Sequence, residues 1–369
     1  MHTPALLIDV DAVQSNIDAT LRLLEGDANR WRPHLKTSKL GFVVRMLVRA
    51  GVRHAKCATA LELETACEAG MADVLVAYQS VGPRAARVRA IAERFPAVRV
   101  SSLVEQPEAC AFWEDSPVGV FADINSGMDR TGIAPDDVIA RIIAIAAAAR
   151  AHGVAFRGLH FYDGHISGVE PEDAERVAHE GYDRLLAIVA RLAEDDVVPE
   201  EIVTSGTPAF PYALTYTPFR HAPFIHRVSP GTIVYGDATS LRQLSPDFGY
   251  RAAVSVASTV VSHPLPRRVT CDAGHKTVSA DAGIPTCAVA GHPDYVPGKP
   301  SEEHLPIDLA EGADVPALGE VLYLVPRHVC PTVNNFDDAV IVKGGRAIGV
   351  ERVTARGRHQ PLTQADLAS

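Results

Sequence analysis

Short apolar or β-branched runs alternate with amphipathic stretches along the first two thirds of the chain. The runs Arg32–Lys36, His54–Cys57, Val74–Tyr78, Val98–Ser101, Val118–Asp123, Phe156–His160, Glu201–Thr204 and Ile225–Val228 stop abruptly at polar residues or glycine and read as strands. Between them, Leu40–Ala50, Ala60–Ala69, Arg84–Phe95, Asp136–His152 and Pro171–Ala193 space their apolar residues as helices do. Eight such units between Trp31 and Tyr235 match a (β/α)8 TIM-like barrel in number and length, an α/β class. A doubly wound open sheet would use fewer strands over this length. Its dinucleotide-binding form also needs a GxGxxG after an early strand, and none is present.

Past Phe248 the helical spacing ceases. Val254–Val261, Arg268–Cys271, Glu320–Val325 and Ala339–Val342 read as strands separated by proline- and glycine-bearing turns. The expected organisation is a barrel over residues 10–240 and a second, mostly β domain made of residues 1–9 and 241–369, which takes in the opening run Ala5–Ile8.

Of the 369 residues, 47% are apolar and 22% charged, enough apolar material for a large core. A net charge of −10 with scattered Lys and Arg argues against a nucleic-acid partner. The longest apolar run, Ile142–Ala149, is far short of the roughly 20 residues of a membrane span. Met1-His2-Thr3-Pro4 has no secretory character. Six dispersed cysteines without a CxxC pair read as reduced thiols, so a cytoplasmic protein is expected.

In a barrel, reacting groups gather at the C-terminal ends of the strands, and phosphate binds near the last two. Lys36 closes the first expected strand, in Arg32-Pro33-His34-Leu35-Lys36-Thr37-Ser38-Lys39. Arg130 follows the fifth, and His160, Tyr162, Asp163 and His165 follow the sixth. A lysine in a barrel mouth is partly desolvated, which favours the neutral amine that Schiff-base chemistry requires. Taken alone, the segment reads equally as a loop with a surface lysine. Thr204-Ser205-Gly206-Thr207 and Gly231-Thr232 offer backbone N–H groups and hydroxyls at helix starts, a cradle for a phosphate dianion. Lysine and phosphate loops together point to pyridoxal 5'-phosphate (PLP).

His328 and Cys330 follow a strand of the second domain, and on extended chain residues i and i+2 share one side. A His/Cys pair suits Zn2+ with positions left for water or substrate. The plainer reading is a buried cysteine beside an unrelated histidine.

These segments together resemble the D-threonine aldolase and D-serine dehydratase group of the alanine-racemase-type (fold type III) PLP enzymes. The resemblance runs through Thr3-Pro4-Ala5, the RPHLKTSK segment, Val81-Gly82-Pro83, Gly127-Met128-Asp129-Arg130-Thr131-Gly132 and Ser229-Pro230-Gly231. It continues through Asp272-Ala273-Gly274-His275-Lys276, Ser301-Glu302-Glu303-His304 and His328-Val329-Cys330-Pro331-Thr332. It implies a homodimer acting on a small D-amino acid. Lys36 would hold PLP, Tyr162 would stack on its ring and Arg130 would lie beside it. Thr204, Ser205, Gly206 and Thr207 with Gly231 and Thr232 would bind its phosphate. His328 and Cys330 would hold a divalent metal, zinc or manganese, with magnesium a further candidate.

Ser229 departs from the alanine racemases, which carry an arginine there, so racemase activity is not expected. His165 is out of register with the catalytic histidine of the aldolases but could serve from its own position. The expected reaction is retro-aldol cleavage of a β-hydroxy D-amino acid to glycine and an aldehyde, with His165 as base. Dehydration of a D-serine or 3-hydroxy-D-aspartate type substrate is the rival. A non-catalytic PLP carrier would lack the β domain.

Overall fold

A computed structural model describes residues 1–360 of the chain. The chain divides into two units, one of Asp27–Lys36, Gly51–Pro230 and a piece from Gly357 on, the other of Met1–Gly26, Thr37–Ala50 and Gly231–Arg356.

The first unit holds a curled sheet of seven strands: His54–Cys57, Asp73–Gln79, Arg99–Val104, Gly119–Ile124, Phe156–Phe161, Glu201–Thr204 and Ile225–Val228. They neighbour one another in chain order, and every pairing is parallel. Helices Ala60–Glu68, Pro83–Arg94, Val138–Ala151 and Pro171–Ala193 make four of the six crossovers. The first of them is fixed by its sequence start: Thr59 accepts from the Glu62 N–H while Glu62 accepts from the Ala58 N–H at 2.6 Å.

The expected strand Arg32–Lys36 is a correction. That stretch is extended chain with single bridges, Trp31 to Val228 on one edge of the sheet and His34 to Lys56 on the other. Pro33 has no N–H to give a ladder, so only its carbonyl takes part, accepting from the Lys56 N–H at 2.9 Å. The chain turns after His34. This short piece fills the eighth place of the TIM-like barrel.

Alternation along the strands layers the interior. At the N-terminal ends, Asp73 and Glu201 face Arg32, which is fully buried and binds Glu201 at 2.7 and 2.9 Å and Asp73 at 2.9 Å. Two residues further on, Leu75 and Val203 pack with Phe121 and Leu103. Gly158 is required here, because a Cβ would lie 1.9 Å from the Glu201 carbonyl oxygen. The next layer, towards the C-terminal ends of the strands, is polar.

The second unit is built on a nine-stranded sheet. Its main path runs Tyr295–Pro297, Leu305–Leu309, Arg268–Cys271, Val254–Leu265, Ala5–Asp9, Asp338–Lys343 and Arg346–Arg352. Cys287–Val289 pairs with Val321–Pro326, which pairs with Val254–Leu265. Ala5–Asp9 runs parallel to Asp338–Lys343 and antiparallel to Val254–Leu265. Four of these strands are not predicted by the sequence pattern: three are short or carry proline, and Arg346–Arg352 is almost wholly exposed and shows no apolar alternation. Helices Val10–Leu23 and Gly41–Arg49 also belong to this unit, so the boundaries expected at residues 10 and 240 fall elsewhere. Buried Asn16 shows why for the first helix: it donates to the carbonyls of Val234 and Arg251 and accepts from the Arg251 N–H.

Among the described residues no helix is long and apolar enough to cross a membrane, and all six cysteines are free thiols.

Candidate active site

Tyr162 is the centre of the barrel mouth. Its ring sits between two glycines: a Cβ on Gly164 would lie 2.5 Å from Cε1, and one on Gly206 would lie 2.9 Å from Cε2. Three cations bear on that ring: Arg130 with Cζ at 5.2 Å, Lys56 with Nζ at 5.3 Å and Lys36 with Nζ at 6.0 Å. Lys36 is half-buried and Arg130 exposed.

Near the ring runs a chain of polar groups, buried from Asp123 to Ser229. Gln79 donates to Asp123 at 2.7 Å, and Asp123 holds His160 Nδ1 at 2.7 Å. His160 Nε2 is 3.2 Å from Lys56 Nζ, which donates to Ser229 Oγ at 2.6 Å. Ser229 lies against the carbonyls of Thr204 and Ser205. Burial works to raise the Asp123 carboxyl, but hydrogen bonds from His160 and Gln79 outweigh it and leave it below the ordinary range. Burial, then the Lys56 charge, lowers His160. The pair is therefore a carboxylate and a neutral imidazole at pH 7, with the proton on Nδ1. Burial also pushes Asp163 up to about 6, against a 2.6 Å hydrogen bond from the Tyr182 hydroxyl.

The segment Thr204–Thr207 is buried and strained. Ser205 has φ 51°, a left-handed conformation that non-glycine residues avoid. The Thr207 hydroxyl is buried without a partner. An unpaired hydroxyl in a strained loop, beside three cations and a flat aromatic face, fits a planar phosphorylated aldehyde such as PLP.

His165 lies in the turn Gly164–Gly168. Its ring faces Gly127, where a Cβ would be 3.6 Å from Cε1 and Nε2, and its Nδ1 is buried without a partner. Burial, then the Arg184 charge, lowers its pKa, so it is neutral at pH 7.

In the sheet unit, His328 caps the short helix Val329–Asn334 and Cys330 lies in its first turn. The expectation of extended chain through the pair is corrected. The two still meet: the Cys330 thiol, followed by Asp281, raises His328 to about 9. Asp281 takes His328 Nδ1 at 2.6 Å, and Thr37 Oγ1 lies 3.0 Å from Cys330 Sγ. Gly231 and Thr232 open the turn Thr232–Val234, where Thr232 Oγ1 lies 3.8 Å from the same sulfur. Among the described residues no three His, Cys, Asp or Glu side chains cluster as a ligand set. One imidazole oriented by a carboxylate and one thiol fit a divalent ion that keeps open positions.

Comparison with known proteins places the chain. A family profile described as "Alanine racemase, N-terminal domain" matches residues 8–239. The chain belongs to that family. It is the fold type III group of PLP enzymes, as the sequence resemblance implied. A second profile, "Putative serine dehydratase domain", matches residues 253–342. The chain is 26% identical over 366 residues to a D-threonine aldolase of Arthrobacter sp, covering 97% of this chain and 93% of that protein. It is 27% identical over 374 residues to a 3-hydroxy-D-aspartate aldolase of Paracoccus denitrificans (strain Pd 1222), with 97% and 93% covered. The crystal structure of D-threonine aldolase from Filomicrobium marinum superposes with a TM-score of 0.87 at 26% identity, covering 96% of each chain.

Lys36, Arg130, Tyr162 and the 204–207 loop are all candidates from the sequence, and the structure brings Lys36 and Arg130 to the Tyr162 ring. Sequence reasoning gives no role to Lys56, Asp123 or Asp281. A signal for Lys56 is nonetheless present: a lysine at an inward position of the strand His54–Cys57, where an apolar residue is the norm.

Proposed function

We propose that the chain cleaves a β-hydroxy D-amino acid of the D-threonine type by retro-aldol, giving glycine and an aldehyde, as a PLP- and divalent-metal-dependent lyase. The observation that carries this reading is the convergence of Lys36, Lys56 and Arg130 on the Tyr162 ring, in a chain similar along 97% of its length to a D-threonine aldolase.

When bound, PLP supplies the electron sink for the pair left at Cα when the Cα–Cβ bond breaks. Lys36 would hold it covalently, Tyr162 would cover its ring, and Arg130 would lie alongside. Thr204, Ser205, Gly206 and Thr207, with Gly231 and Thr232, would bind its phosphate. His328 and Cys330 would hold the divalent ion, zinc or manganese, as a Lewis acid. Asp281 fixes the His328 ring. His165, neutral and with an unpartnered nitrogen, accepts the β-hydroxyl proton. The working form is a homodimer.

Dehydration of a D-serine or 3-hydroxy-D-aspartate type substrate is the second reading, favoured by the match of residues 253–342 to the putative serine dehydratase domain. Incubating the pure protein with D-threonine and with D-serine, plus PLP and Mn2+ or Zn2+, separates the two. Glycine with acetaldehyde supports the aldolase; ammonia with a keto acid would replace it by the dehydratase.

A further inference from the structure

Lys56 has no task in that chemistry, although it is the most buried amine of the barrel mouth, 2% exposed. An ammonium has three N–H groups. One donates to Ser229 Oγ at 2.6 Å. A second meets His160 Nε2 at 3.2 Å, and that nitrogen must accept because Asp123 holds the proton on Nδ1. The third has no further protein acceptor among the described residues. It belongs to a nitrogen 5.3 Å from the centroid of the ring on which Lys36 also bears. A buried donor is rarely left unpaired, so this geometry asks for an acceptor from a ligand lying on Tyr162.

PLP offers few acceptors. Its phosphate oxygens suit the 204–207 loop, and its carbonyl end goes to Lys36. Its phenolic oxygen adjoins that end, where Lys36 and Arg130 already bring donors to the same ring. The ring nitrogen is the one left over. We propose that Lys56 is the partner of the cofactor's ring nitrogen, a cofactor-contacting residue held in place by Ser229 and by the Asp123–His160 pair. This rests on the reading of the chain as a PLP enzyme.

The electrostatics agree with the geometry. Burial, then the neighbouring Lys36 charge, lowers Lys56 to about 7, with Asp163 and Asp123 acting in the opposite sense. An amine of that basicity exchanges a proton readily with a pyridine nitrogen, so the contact persists whichever of the two carries it.

The test compares two cofactors in the full-length apo-protein. One is PLP. The other is its 1-deaza analogue, in which C–H replaces the ring nitrogen while phosphate and aldehyde remain. Binding is read by tryptophan fluorescence and by the visible absorbance of the bound cofactor, without substrate. Wild type should bind PLP about 10–100-fold more tightly than the analogue, the range of a charge-assisted hydrogen bond. Lys56→Met should bind both at the level of the analogue, and Lys56→Arg should recover part of the preference. A wild type with no preference, or a Lys56→Met variant that keeps the wild-type ratio, would overturn the proposal. If Lys56→Met does not fold, the wild-type ratio together with that of Lys56→Gln decides between these outcomes. Failure of the wild type to bind PLP at all would instead sink the PLP reading, and the proposal with it.

Discussion

Arg32→Met should destabilise the barrel unit strongly at neutral pH and progressively less in acid. The Arg32 guanidinium makes four buried hydrogen bonds: two to Glu201, one to Asp73 and one to the Ala55 carbonyl. Without it Glu201 keeps Arg227, but Asp73 keeps only a long 3.5 Å contact with His54 Nδ1. Removing one member of a buried ion pair typically costs about 3–5 kcal/mol, because the other charge stays buried and unpaired. For a unit of this size that is a fall in Tm of about 10 °C.

The pH dependence follows from Asp73. Burial alone would raise its carboxyl; Arg32 and His54 outweigh burial and hold it well below the ordinary range. A depressed folded-state pKa means the wild-type contribution is complete above the unfolded value of about 4 and is lost only below it. In the variant the same carboxyl is raised, so protonation relieves the penalty at milder pH. Each pH unit below that raised value should recover about 1.4 kcal/mol of the gap.

Urea unfolding followed by tryptophan fluorescence isolates the right unit, since the protein's two tryptophans, Trp31 and Trp113, are both buried in the barrel unit. A loss under about 1 kcal/mol at pH 7.5, or a gap that widens towards pH 5, would refute the assignment of Arg32 as the pairing cation of this cluster.

Lys36→Ala should abolish turnover and the visible absorbance of bound PLP, and borohydride should fix the cofactor of the wild type on Lys36. Fixation on another lysine would remove that assignment; Lys39 is buried and bonded to the Ala355 carbonyl, and Lys276 is exposed beside Glu302 and Glu303. EDTA should remove activity while leaving PLP bound, and His328→Ala should reproduce this and resist rescue by modest added metal, since one of two ligands is gone. Full activity in protein shown by elemental analysis to be metal-free would contradict it. His165→Gln should lower kcat for D-threonine by about two orders of magnitude or more with PLP occupancy unchanged. A near-normal kcat would assign the hydroxyl proton to another group and bring the dehydratase reading forward.

Local pattern fixed much of this protein. Seven of the eight expected barrel strands form within a few residues of their expected limits, because period-2 runs bounded by turns and helices of period 3.6 are encoded in neighbouring residues. Lys36 stands out as a candidate in the sequence because it closes an expected strand, and the structure places its Nζ 6.0 Å from the Tyr162 ring. The pairings of side chains are not legible. Arg32 and Glu201 lie 169 residues apart, Lys56 and Ser229 lie 173 apart, and His160 meets both Asp123 and Lys56. In the sequence each is one polar or charged residue whose neighbours say nothing of the distant residue it meets. Alternation says which side of a strand a residue faces, but only closure of the sheet decides which strands look at one another across it. That step makes Arg32, part of the same motif as Lys36, a structural cation. It also places Lys56 beside the Tyr162 ring, because a buried charge survives only where distant strands bring it partners.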